Sequence, residues 1–328
     1  MVERMPNASW PHRVRMHQLR IVLAVAEHAS LLRASEALGV TQPAITKALK
    51  DFEGDLGLKL FRRTNRGAEA TPYGVAMVGY LKMMFSQLDQ AAEELAGLKL
   101  GVGGRVSVGT LISASAHLLP SAIAQLQRER PSVSVSVLEG TYDHLTPALV
   151  RGDLDFIVGR LPELQYREGL VLQPLYDEGI SFVVRKDHPL VARRKGGLRD
   201  LLGWPWLLPM RETTLRRLVD KAFRDAGLDP PAPSCESISV LVNRRLLQDS
   251  DMIGVWPAGV AVEDREAGRL TALSWVPDIT FGPVGITRRR APQLSPAAES
   301  FLKIVETVAR TKRREREAGA TRPAPRAR

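Results

Sequence analysis

Cysteine is almost missing from this chain of 328 residues: Cys235 stands alone. One thiol makes an intrachain disulfide impossible and excludes a zinc–cysteine cluster. A solitary cysteine is also more often an inert buried thiol than a nucleophile. Long apolar runs are missing too. No stretch approaches the roughly twenty apolar residues that cross a membrane. The N-terminal segment, polar and basic around Trp10 and Pro11, has no signal-peptide core. The expected compartment is the cytoplasm. Catalytic signatures are equally scarce. His12, His17, His28, His117, His144 and His188 show no close metal-ligand spacing, and His188 reads as part of a turn. No G-x-S-x-G nucleophile elbow occurs. Gly101-Val102-Gly103-Gly104 has no strand before it, so it reads as a hinge rather than a dinucleotide loop. No catalytic residue, metal site or cofactor is expected.

The net charge of +10 invites a nucleic-acid reading, but half of it lies in residues 311–328. There Lys312, Arg313, Arg314, Arg316, Arg322, Arg326 and Arg328 face only Glu315 and Glu317. That tail reads as disordered and solvated. Bulk charge is therefore a weak argument for DNA, and local patterns must carry it.

The strongest local pattern is Thr41 to Phe61, TQPAITKALKDFEGDLGLKLF. Thr41 suits a helix N-cap, and Pro43 fits only a first turn. Ile45, Ala48, Leu49, Phe52 and Leu56 recur at three- and four-residue steps, one buried helical face. The other face carries Gln42, Thr46, Lys47 and Lys50. Gln and Thr can read base edges in a major groove, and Lys can neutralise phosphates. Upstream, Leu31, Ala34 and Leu38 mark a shorter helix between Ser30 and Gly39. A helix, a glycine turn and a second helix with a polar outer face is the helix-turn-helix plan. An earlier helix, about 17–28, offers Leu19, Val22, Leu23 and Ala26 as a third wall. The alternative is an ordinary three-helix bundle with a solvated face. The next segment favours DNA: Lys59, Arg62, Arg63 and Arg66 cluster around Asn65 and Gly67, with no acid between Asp55 and Glu69. That reads as a basic hairpin, a wing set to grip phosphates.

The segment from His17 to Gly74 resembles the N-terminal domain of LysR-type transcriptional regulators. The resemblance rests on Ala34-Ser35-Glu36-Ala37-Leu38, Thr41-Gln42-Pro43-Ala44, Glu53, Leu56-Gly57, Leu60-Phe61-Arg62-Arg63 and Thr71-Pro72-Tyr73-Gly74. Leu31-Leu32 departs from it, since the family more often has Phe and a small polar residue there. The RTNRG and ATPYG phrases lean toward a subgroup controlling sugar or aromatic-acid catabolism. The resemblance implies that Gln42, Pro43, Thr46 and Lys47 face bases, with Thr41 at the helix start. It implies that Arg33, Lys50, Arg62, Arg63 and Arg66 face phosphates. It further implies operator DNA as partner, assembly as homodimer and homotetramer, contact with RNA polymerase, and no membrane.

Beyond Tyr73 one long helix is expected to Leu98. Val78, Leu81, Phe85, Leu88, Ala92 and Leu95 form a heptad seam suited to a helix pair. Packing against the chain's own core is the alternative. The family uses this element as a dimerising linker. After the Gly101–Gly104 joint, strands and helices alternate, which argues a mostly parallel α/β sheet. Strands are expected at Val106–Val108, Val133–Val137, Leu154–Gly159, Ile180–Val184, Trp206–Leu208, Gly254–Trp256 and Gly285–Arg288. The fold class expected is an all-α winged helix-turn-helix with a long linker helix, then a two-lobed, periplasmic-binding-protein-like α/β effector domain. Its parts are a tail at 1–16, the DNA-binding domain at 17–74, the linker at 75–100, and the effector domain at 105–310. Within the last, lobe one spans about 105–177 and 282–310, and lobe two about 178–281. The return of the chain to lobe one comes from the resemblance. A basic tail, 311–328, closes the sequence.

Ligands of open α/β sheets sit at strand carboxyl ends. The candidates there are Ser113, Ala114 and Ser115 in the TLISAS run, Thr141 and Arg160. Leu208, Pro209, Ser237 and Ser239 would face them across the cleft. Serine hydroxyls and helix N-termini suit a small anionic co-inducer, although each serine alone could be a helix cap. Two other functions stay open: a constitutive architectural DNA binder, and an enzyme with a DNA-binding appendage.

Overall fold

A computed structural model describes residues 11, 13–64, 67–100, 103–163, 167, 169–276, 279–291 and 293–320. The chain divides into two compact units, one up to Glu93 and one from Glu94 onward.

The first unit opens with α1 (Met16–His28), α2 (Leu31–Leu38) and α3 (Gln42–Leu56). Ser30 Oγ caps α2 by accepting the Arg33 N–H, and Gly39 ends it in the left-handed region at φ 65°. Gly57, at φ 76°, ends α3 in the same way. Thr41 occupies the N-cap of α3, but its hydroxyl makes no capping bond. Val22 and Val25 from α1, Ala34 from α2, and Ile45 and Phe52 from α3 are wholly buried together. A hairpin follows, β1 (Phe61–Thr64) against β2 (Gly67–Ala70), antiparallel with Arg62 opposite Glu69. The hairpin is tied to the helices because the Ala68 N–H donates to the Ala29 carbonyl at 2.8 Å.

The long helix α4 (Pro72–Leu100) confirms the expected element and corrects the reading of its seam. Leu81 is 4 % exposed and belongs to the core of the first unit, with Val78 and Phe85 packed against that core. Arg20 lies over the Phe85 ring at 5.8 Å. The three-helix bundle leaves its hydrophobic floor open, and the near half of the α4 seam fills it. Leu88 and Leu95 stay exposed, at 46 % and 68 %. The near half of the heptad pattern thus belongs to the core, and its far half lies at the surface.

The second unit contains β3 (Arg105–Thr110), α5 (Ile112–Ser115), α6 (Leu118–Glu129), β4 (Ser134–Glu139), α7 (Tyr142–Arg151), β5 (Phe156–Arg160) and β6 (Leu170–Val184). Then come β7 (Trp206–Leu208), α8 (Thr214–Asp225), β8 (Cys235–Glu236), α9 (Val240–Gln248), β9 (Ile253–Pro257), α10 (Ala258–Glu266), β10 (Thr271–Ala272), β11 (Ile279–Arg289) and α11 (Pro296–Ala320). One sheet runs in the order β4-β3-β5-β11-β6-β9-β7-β8, with β10 also on β6.

The sheet is mixed rather than mostly parallel. β3–β4, β3–β5, β7–β8 and β7–β9 are parallel. β11 and β6 are antiparallel to each other, and each is antiparallel to its outer neighbour. These two long strands were read from the sequence as short ones, Ile180–Val184 and Gly285–Arg288. The glycines and prolines in their middles, Pro174, Gly179, Gly282 and Pro283, interrupted the apolar pattern. They coincide with irregular register, at Thr280/Gly282 and Val284/Gly285.

The core divides at the same place. One cluster joins Val106, Leu118, Phe156, Tyr176, Val284 and Phe301. Another joins Ile180, Phe182, Trp206, Phe223, Ile253 and Phe281. Two lobes therefore hang on one pair of crossing strands. α11 packs in the first cluster through Phe301, Ile304 and Val305, so the chain does return to lobe one. The helix also continues to Ala320, which corrects the disordered reading of residues 311–320. Lys, Arg, Glu and Ala are strong helix formers, and Lys312 lies 5.6 Å above the Tyr176 ring. Residues 321–328 of the expected tail, and all but Met16 and the 11 and 13–15 positions of the N-terminal one, lie outside the described residues.

Candidate DNA-binding surface and ligand cleft

The polar face of α3 is exposed as its spacing requires. Thr41, Gln42, Pro43, Lys47 and Lys50 are exposed and Thr46 is half-buried, while Ile45, Leu49, Phe52 and Leu56 face inward. Arg33 is exposed on α2. The far end of α3 is fixed to the hairpin by Glu53, which is 6 % exposed. Its Oε1 accepts the Leu60 N–H at 2.9 Å and the Phe61 N–H at 3.2 Å, and its Oε2 accepts Lys59 Nζ at 2.6 Å. Lys59, whose side chain stays 71 % exposed, thereby shares its charge with a buried carboxylate. Arg62 is exposed and sits 3.6 Å from Glu69, so its charge is shared across the hairpin. Arg63 occupies β1 opposite Ala68; its side chain and the whole of Arg66 lie outside the described residues.

Thr71 completes the joint. Its Oγ1 donates to the Lys59 carbonyl at 2.7 Å and accepts the Gly74 N–H at 3.1 Å. Gly74 is required by close approach, since a methyl group there would run into the Leu60 carbonyl oxygen. The Thr71-Pro72-Tyr73-Gly74 phrase is thus a fixed joint that sets the start of α4 against the wing.

In the second unit a cavity of about 500 Å³ lies between the lobes. Of the nine residues expected to meet a ligand, Thr141, Arg160, Pro209, Ser237 and Ser239 line it. Ser113, Ala114, Ser115 and Leu208 do not. Ser113 Oγ is spent accepting the Arg160 N–H at 2.8 Å. Ala114 and Leu208 are fully buried, and Ser115 Oγ bonds the Ile112 carbonyl. The turn into α5 points its first residues, Leu111 and Ile112, at the cavity instead. The remaining serines also do structural work. Ser237 Oγ accepts the Ser239 N–H, and Ser239 Oγ caps α9 at the Val242 N–H.

Arg160 is fixed by backbone carbonyls. Its Nε donates to the Phe281 carbonyl at 2.6 Å and its Nη1 to the Leu161 carbonyl at 3.2 Å. Its guanidinium stands 5.3 Å from the Phe281 ring centre. Burial pulls its pKa down, opposed by Glu163 and Tyr142. Tyr142 donates its hydroxyl to the Arg160 carbonyl at 2.7 Å, and burial pushes its pKa up to about 12. Glu163 and Arg217, which no periodicity had marked, meet across the cleft at 2.5 Å. Burial alone would raise the Glu163 carboxyl, but Thr214, Arg217 and Arg160 hold it below the ordinary range. Ile112, Leu207, Val255, Trp256 and Phe281 give the wall an apolar stretch. Among the described residues no group of three or more His, Cys, Asp or Glu side chains could hold a metal ion. No described helix is long and apolar enough to cross a membrane.

A winged helix-turn-helix followed by a two-lobed α/β domain with an interlobe cavity defines a ligand-responsive DNA-binding regulator. Residues 16–75 match the family model described as bacterial regulatory helix-turn-helix protein, lysR family, and residues 100–310 match the LysR substrate binding domain. The chain belongs to the LysR family of transcriptional regulators. It is similar to the HTH-type transcriptional regulator GbpR of Azospirillum brasilense, 32 % identical over 92 % of this chain and 89 % of that one. It is similar also to PcaQ of Agrobacterium fabrum, 30 % identical over 90 % and 96 %. The crystal structure of CbnR complexed with its target DNA has the same fold, with TM-score 0.62 and 20 % identity over 90 % of this chain and all of that one. These relatives are regulators, and the chain is a transcriptional regulator rather than an enzyme.

Proposed function

We propose that α3 enters the major groove with Gln42, Pro43, Thr46 and Lys47 at the bases. Arg33, Lys50, Arg62, Arg63 and Arg66 neutralise phosphates on its flanks. The observation that carries this is the division of α3 into a buried apolar face and an exposed Gln42–Lys47–Lys50 face, tied to the wing through Glu53. The far half of the α4 seam, Leu88, Ala92 and Leu95, pairs two copies, and dimers associate into a tetramer on operator DNA. Within each dimer the two winged units read half-sites about one helical turn apart. The protein works in the cytoplasm at the nucleoid and meets RNA polymerase there.

A small anionic co-inducer in the interlobe cavity shifts the equilibrium between lobe arrangements, and that shift is read by the DNA-binding units. Such coupling is typically worth about 1–3 kcal/mol. A thermal-shift screen of small metabolites, followed by operator binding with each hit, tests this. Stabilisation by a hit together with an altered operator affinity supports it. Hits that stabilise and leave operator binding unchanged favour a constitutive architectural binder.

A further inference from the structure

The cleft wall carries Arg160 and Arg217 together with Glu139, Asp143, Glu163 and Glu212. An anion would find that wall repulsive unless one carboxylate gave way. Glu163 is placed to do so. It leaves β5 on the lobe-one side, yet its Oε1 accepts Thr214 Oγ1 at 2.8 Å and Arg217 Nη2 at 2.5 Å, both on the first turn of α8 in lobe two. Arg217 keeps a partner apart from Glu163, the Glu212 carbonyl, and also donates to Thr214 Oγ1. The Glu163 and Arg217 side chains are 34 % and 46 % exposed. A pair this wet contributes little and exchanges readily.

We propose that Glu163 is an internal stand-in for the carboxylate of the effector. A small carboxylate entering the cleft takes Arg217 from Glu163 and replaces a direct lobe-to-lobe ion pair with a ligand-bridged one. The apolar wall of Ile112, Leu207, Val255, Trp256 and Phe281 selects an apolar body behind that carboxylate. This inference rests on the reading of the cavity as the effector site. Arg217 is the residue that recognises charge, and Glu163 is a positioning residue that tunes the preference.

The test is isothermal titration of the full-length protein with benzoate, phenylacetate and succinate, each against its uncharged amide at matched salt. Glu163→Gln should bind the carboxylates about two- to fivefold more tightly, the worth of an exposed pair, with the amides unchanged. Arg217→Gln should erase the preference for carboxylate over amide, and Arg217→Lys should restore part of it. A merely structural role would move both probe classes together. Unchanged carboxylate affinity in Glu163→Gln, a preference that survives Arg217→Gln, or no carboxylate binding by Glu163→Gln in the tens of millimolar overturns the inference. If that happens while a hit from the unbiased screen still alters operator binding, the cleft remains the effector site and only the exchange of Arg217 from Glu163 to the ligand is lost. If no hit alters operator binding, the reading of the cleft falls with it.

Discussion

Glu53 Oε1 accepts the backbone N–H of Leu60 at 2.9 Å, joining the recognition helix to the wing through a buried carboxylate. The Phe61 N–H shares the same oxygen. Glu53→Ala strands both amides, at about 1–3 kcal/mol for each one left unsatisfied. The first unit should melt earlier and operator binding should weaken with it. Glu53→Gln keeps an acceptor and should lose much less. Hydrogen exchange at Leu60 and Phe61 checks the cause, since those amides should exchange fastest in the alanine variant.

Gly74→Ala drives a methyl group toward the Leu60 carbonyl oxygen. The surrounding backbone must shift, at about 1–3 kcal/mol. The expected result is a lower melting temperature for the first unit with the second unit unchanged. A differential-scanning trace with an unmoved first transition would contradict it.

The two halves of the α4 seam should separate by mutation. Leu81→Ala opens a cavity in the first unit and should cost about 2–5 kcal/mol of its stability. Leu88→Asp, at a position 46 % exposed, should leave that stability nearly intact and reduce the oligomer. Sedimentation of both variants decides this. An unchanged mass for Leu88→Asp would remove that residue from the pairing surface.

His188 should give the second unit a pH dependence. It is 2 % exposed; its Nδ1 accepts the Leu190 N–H at 3.1 Å, and its Nε2 lies 3.2 Å from the Asp251 carbonyl. Burial depresses its pKa below the ordinary 6.5. The depressed value means its contribution is full above 6.5 and is lost as pH falls through the folded pKa. Melting of the second unit should therefore decline on acidification below that pH. His188→Gln should flatten this decline, and an unchanged slope would rule His188 out as its source.

The DNA-binding unit was largely legible in the sequence because its spacing is local. Ile45, Leu49, Phe52 and Leu56 announce their own face at helical intervals. The wing was legible as a basic cluster, but the Lys59–Glu53 bond was not, since a run of charges does not reveal which cation has a buried partner. Leu81 misled for a related reason: a heptad repeat shows that a face is apolar without showing what covers it. In the second unit, β6 and β11 were each shortened by the glycines and prolines at the lobe boundary. The cleft was the least legible part. Arg217 and Glu163 lie 54 residues apart in sequence, and only the folded chain brings them together. Ser113 looked free at a strand end, but the Arg160 amide claims its hydroxyl.

The orientation of Gln42 is the claim on which the DNA reading depends. Selecting duplexes from a randomised pool with the full-length protein and with Gln42→Ala measures it directly. The account predicts that Gln42→Ala retains a site of the same length and spacing but accepts other bases at the half-site positions under the start of α3, a loss of about 1–3 kcal/mol of discrimination. Identical base preferences for the two proteins would contradict it.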